Sequence, residues 1–106
     1  MNALRDEFYG AWEGLHATPS EVSITQALCR VVPPGVASVP PTPLTCDEIN
    51  ARAGDNHGPP ERHRAEFPDG RVGAHSALAT PEHGRRLLDT AGACVAEDLR
   101  SFIAAA

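Results

Sequence analysis

Trp12, Glu13, His16 and Glu21 fall within one short stretch, AWEGLHATPSEVSITQAL, residues 11–28. A histidine followed closely by a carboxylate suits general acid–base chemistry. The imidazole takes or gives a proton near neutral pH, and the carboxylate orients it or holds a substrate amide. An indole four residues upstream can cover a small planar ligand. The same residues have a competing use. Thr18-Pro19-Ser20-Glu21 reads as a helix start, with Thr at the N-cap, Pro at the first helical position and Glu at the third, the pattern of a capping box. His16 precedes that cap by two residues. The free amides and partial positive charge of a helix start disfavour a nearby cation, which suits a neutral imidazole acting as a base. So two readings stand. In one, Glu21 closes the cap, His16 is a polar loop residue and Trp12 belongs to the core. In the other, the three residues act together on a ligand.

The elements that must position them follow from periodicity and punctuation. Leu4, Phe8, Ala11 and Trp12 form an apolar stripe that predicts a short helix over 3–14, fraying near Gly10 and Gly14. Thr18 starts a second helix over about 19–29, which ends before the Val-Val-Pro-Pro run because a residue preceding proline leaves the α region. Residues 32–66 hold seven of the ten prolines and keep no period. They read as a long extended loop, with a short strand at Val36 to Val39 and a turn of helix from Cys46 to Arg52 capped by Thr45. Pro68-Asp69-Gly70 is a turn signal. Thr80-Pro81-Glu82 starts the longest helix, about 81–104, with Leu88, Ala91, Val95, Leu99 and Phe102 on one face, widened by Leu87, Cys94 and Ile103. The chain divides accordingly into 1–31, 32–66 and 67–106, within a single partial domain.

Composition narrows the function. The 106 residues carry a net charge of −5, and all nine basic residues are arginines, scattered rather than clustered. That argues against nucleic acid as a partner. No apolar run approaches the roughly 20 residues that span a bilayer, so no membrane role is expected. The N-terminal stretch has acids and no apolar core, unlike a secretory signal. Cys29, Cys46 and Cys94 have no metal or disulfide spacing. They read as buried free thiols in a reducing cytoplasm. His57, His63, His75 and His83 read as surface histidines. A small zinc domain built on His57, His63 and His75 is a third, remoter use of them. The apolar content is 42%, but aromatics are only 5%. Large side chains for a core are therefore few.

The pattern Trp-Glu-x-x-His-x-x-x-x-Glu over 12–21 resembles the active-site stretch of the creatininase family, whose helix often reads ETSLMLAL where this chain has EVSITQAL. FPDGRVGAHSALATPEHGRRLLDTAGACVAEDLRSFI resembles that family's C-terminal end. Together the two blocks cover about 55 of the 106 residues, in the family's order. The resemblance implies an α/β fold, the C-terminal part of an α/β sandwich with a mostly parallel sheet, represented here by two to three helices, short strands and the proline-rich loop. It implies a metal-dependent amidohydrolase that uses zinc or manganese to hydrolyse a C–N bond of a cyclic or linear amide. His16 would be the general acid/base and Glu21 its assistant or a substrate ligand. Trp12 and Glu13 would bind substrate, and a metal-bound hydroxide would be the nucleophile. Closed homo-oligomers are common in the family. Its metal ligands come from a Glu-x-His segment and later residues that have no counterpart ahead of Ala11. This chain is therefore expected to contribute no metal ligand of its own. The alternative is a non-catalytic remnant or helical interaction module.

Overall fold

The computed structural model describes residues 2–30, 38–54 and 56–106. Every regular element among them is helical: α1 Asn2–Tyr9, α2 Pro19–Leu28, α3 Cys46–Ala51, α4 Pro60–Glu66 and α5 Pro81–Ala105, with single 3-10 turns at Gly10–Trp12 and Ser76–Leu78. The expected α/β layer with short strands is therefore corrected: among the described residues there is no strand. Ser38 of the expected strand has 3-10 geometry and Val39 lies in a bend, and its first two residues, like Val31 and Val32, lie outside the described residues.

The helix starts follow local chemistry. Thr18 accepts a hydrogen bond from the Glu21 amide, and the Glu21 carboxylate accepts one from the Thr18 amide, closing the capping box. Thr45 and Glu48 repeat the device at α3. Thr80 accepts from the His83 amide at α5. These caps satisfy amides that the first helical turn leaves without partners. Helix α4 falls where an extended loop is expected. It has no side-chain cap and starts with proline at its first position, and an exposed Arg62–Glu66 pair one turn apart bridges it.

The core is small and lies where α2 packs along α5, with α1 against both. Tyr9, Val72, Ala74 and Leu87 are its buried apolar residues. The closest approach is at Gly84 of α5, where a methyl group would stand 1.9 Å from the Ser23 carbonyl oxygen. Ser23 is fully buried. Its hydroxyl accepts from the Thr80 amide at 3.0 Å and shares a 2.7 Å hydrogen bond with the Tyr9 hydroxyl. One group thus joins α1, α2 and the start of α5. Phe8 stacks on His83 at 3.9 Å, with the Arg86 guanidinium over its ring.

Beyond Gly92, α5 leaves its partners behind. Val95, Leu99 and Phe102 are 67, 57 and 75% exposed, so the apolar stripe of α5 is covered only in its first half. The radius of gyration, 15.8 Å, exceeds the roughly 13 Å of a compact domain of this length. Cys29, Cys46 and Cys94 are free and exposed, not buried as expected. Cys29 and Cys46 sit at helix ends and Cys94 on the open half of α5. No helix among the described residues is long and apolar enough to cross a membrane.

Candidate functional site

The stretch from Trp12 to Ala17 is a loop pinned against residues 72–76. The Leu15 amide donates to the Val72 carbonyl at 2.9 Å, the Val72 amide to the His16 carbonyl at 3.4 Å, and the His75 amide to the Trp12 carbonyl at 2.9 Å. The Ser76 hydroxyl donates to the Ala17 carbonyl. The backbone pairs run antiparallel, yet no strand forms, because Gly14, Ala17 and Gly73 have φ of +63°, +55° and +71°. These values leave the extended region, and for Ala17 they are strained. Gly14 is required twice over. Its φ is positive, and a methyl group there would lie 2.5 Å from both the Ala74 nitrogen and the Val72 oxygen.

The four residues singled out in the sequence do not share one cleft. Glu13 and Glu21 line one cleft of about 460 Å³ with Arg5, Asp6 and Thr18; Trp12 and His16 do not line it. Glu13 accepts from the Ser20 hydroxyl and lies 3.6 Å from the Arg5 guanidinium. Glu21 also accepts from the Thr18 hydroxyl, at 3.1 Å, so its cap is doubly bonded. Trp12 is half-buried and meets His75 edge-on at 5.5 Å. His16 does not line the cleft that holds both acids. Its Nε2 lies 2.8 Å from Nε2 of His57, with ring centroids 4.5 Å apart.

The other histidines depart from the surface reading. His75 is buried, His83 is half-buried on Phe8, and His57 and His63 are half-buried with their rings 5.2 Å apart. Segment 38–67 reaches the site loop through further ties. Leu44 packs on Gly73, and the Arg71 guanidinium donates to the Val39 carbonyl at 2.9 Å and pairs with Asp69 at 2.8 Å. The His16–His57 meeting links residues 41 apart, and no local signal could have revealed it.

Two ionisations are displaced near these elements. Burial raises the Tyr9 hydroxyl above 10.0. The Arg71 amide, and then its side chain, hold the Asp69 carboxyl below its ordinary 3.8.

The divalent metal that the resemblance implies finds no ready ligand set here. Among the described residues, no group of three or more His, Cys, Asp or Glu side chains is arranged to hold an ion. Glu21 is already engaged by Thr18, and Glu13 by Ser20 and Arg5. No family model and no curated protein matches the chain.

Proposed function

We propose that this chain carries the proton-transfer loop and closing helix of a creatininase-type amidohydrolase acting on a cyclic or linear amide. One observation supports the reading best. The two blocks that resemble the family, 12–28 and 67–103, are packed on each other through Gly14, Ser23 and Gly84. They behave as one unit, as parts of a single active-site wall should.

In this reading water adds its oxygen to the amide carbonyl carbon, and the C–N bond breaks. His16 takes a proton from the water and delivers one to the departing nitrogen. Its backbone carbonyl is held by the Val72 amide, which fixes the loop that carries the ring. Trp12 offers an indole face to a planar amide. Glu13 lines the neighbouring cleft beside Arg5. Trp12 and His16 do not line that cleft, so in this reading Glu13 serves by holding Ser20 at the start of α2. Glu21 acts indirectly, by fixing the start of α2 and so the loop before it. The zinc or manganese of the family would be held by other residues. A cytoplasmic location agrees with three exposed free thiols, and a closed homo-oligomer with the exposed half of α5.

The test is a chimera in which residues 11–28 and 67–103 replace their counterparts in an active creatininase-family enzyme. Retained amide hydrolysis is expected, with His16→Ala lowering turnover by about 10²–10⁴-fold while metal content is unchanged. Unaltered turnover in the His16→Ala chimera would remove His16 from the chemistry. The open stripe at Val95, Leu99 and Phe102 favours a second reading, a non-catalytic helical interaction module. A folded but inactive chimera would support it.

A further inference from the structure

We propose that the exposed half of α5 pairs with the same half of a second copy of this chain. The two helices run antiparallel about a two-fold axis beside Glu97, and Phe102 of each copy seats in a notch at Gly92 of the other. The pairing does not depend on the amidohydrolase reading.

From Gly92 to Ala106 every residue is exposed except half-buried Ala96. Leu88, Gly92, Val95, Leu99, Phe102 and Ala106 recur at spacings of four, three, four, three and four. That alternation is the seam of a two-helix coiled coil, where each side chain sits among four of the facing helix. The seam is complementary to itself. Reversed about position 97, Val95 meets Leu99, Phe102 meets Gly92 and Leu88 meets Ala106. Nothing lies within 4 Å of a side-chain carbon built at Gly92, so the position is an open notch, and the Phe102 ring is 75% exposed. Knob and notch thus lie on one face of one helix, and a two-fold axis fills both notches at once.

The rest of the chain sets the direction. Each copy packs its other helices on α5 before Gly92, around Gly84 and Leu87. Antiparallel pairing brings Ala106 of one copy level with Leu88 of the other, so the two bodies lie at opposite ends. Parallel pairing would crowd both bodies at one end. Glu97 and Arg100 pair with each other at 3.4 Å and lie off the seam. Asp98 borders it, and the two Asp98 carboxylates come together beside the axis. From Asp89 onward α5 carries three acids and one arginine, a balance unsuited to an anionic membrane surface. One helix on one helix covers a strip about 28 Å long and about 10 Å wide. That is small beside the roughly 800 Å² per partner of a standard interface. The dimer is therefore weak and reversible, and the fold of each copy does not require it.

Sedimentation equilibrium of the full chain from about 10 µM to about 1 mM should show a monomer–dimer equilibrium with a Kd on the order of 100 µM. Phe102→Asp should weaken it by about 30-fold or more. Gly92→Leu has room in the single chain but fills the notch, and should weaken pairing by about 10-fold. Gly92→Leu combined with Phe102→Ala moves the large side chain across the seam and should restore the Kd to within about threefold. Asp98→Asn should tighten the dimer, and so should added salt, because both relieve the like charges beside the axis. Circular dichroism checks that each variant keeps its helices. A chain that stays monomeric throughout, a Kd unmoved by Phe102→Asp, or a Gly92→Leu variant that pairs as tightly as the unmodified chain would each overturn the pairing. So would assembly beyond a dimer, or a dimer indifferent to Asp98→Asn.

Discussion

Two glycines of one helix should respond to the same substitution with opposite sign. An alanine at position 84 would place its methyl carbon 1.9 Å from the Ser23 oxygen, 2.4 Å from the Ser23 carbonyl carbon and 2.9 Å from the Ile24 nitrogen. Ordinary contact begins near 3.4 Å, so α2 and α5 must part by about 1.5 Å where they are tightest. The obstacle is backbone and cannot rotate away. Overpacking of this kind costs about 1–3 kcal/mol or more, against a gain of roughly 1 kcal/mol from replacing glycine inside a helix. At position 92 no atom lies within 4 Å, and only the gain applies. Gly84→Ala should therefore lower the melting temperature by roughly 5–10 °C, and Gly92→Ala should raise it by a few degrees. Thermal and urea denaturation followed by circular dichroism would measure both. If both variants are stabilised by similar amounts, α5 does not approach α2 in this way and the argument for the core is wrong.

Other outcomes follow from particular side chains. Tyr9 is the single tyrosine, so absorbance of the ionised phenol reports it alone. Its hydroxyl is raised by burial in the fold. The stability linked to it is present below pH 10.0 and lost as pH rises through the folded value. The titration should shift down to about the ordinary value in denaturant; identical curves in both states would show that Tyr9 is not buried on Ser23. Leu87→Ala should cost about 2–5 kcal/mol and Phe102→Ala under about 0.5 kcal/mol, although both lie on the same predicted apolar face; equal costs in urea denaturation would contradict the open second half of α5. Thr18→Ala should cost about 0.5–2 kcal/mol, and Glu21→Gln less, because its amide can still accept from the Thr18 amide. A larger loss for Glu21→Gln would assign that carboxylate a duty beyond the cap.

The parts of the fold that were legible in the sequence are those set by local chemistry. Thr18, Thr45 and Thr80 each start a helix because their hydroxyls reach amides three residues on, and such pairs can be read from spacing. The turn at Pro68-Asp69-Gly70 is legible for the same reason, with Asp69 accepting from the Arg71 amide. Helix α4 was hidden because Pro59-Pro60 looks like loop chemistry and only its side-chain pairing shows otherwise. The expectation of strands rested on resemblance and on β-branched residues near 36–39. Periodicity placed Val95 and Leu99 on the apolar stripe of α5 but could not say how far along the helix its partner extends. At the site, the cap role of Glu21 was visible. The meeting of His16 with His57 was not, since it depends on how a proline-rich stretch folds back.

The chain's two packed blocks, 2–30 and 71–105, meet much as two separate molecules would, and the intervening stretch sets their effective concentration for each other. The described part of that stretch carries α3 and α4 and is held to the second block through Val39–Arg71 and Leu44–Gly73. Length is therefore best added at the exposed loop between the two helices, where doubling a flexible loop costs only about 0.6 kcal/mol. Insertions between α3 and α4, at exposed Ala53 or Gly54, should disturb the Ser23–Thr80 and Gly84 contacts little. A cut in that stretch should leave two peptides whose reassociation becomes dependent on concentration.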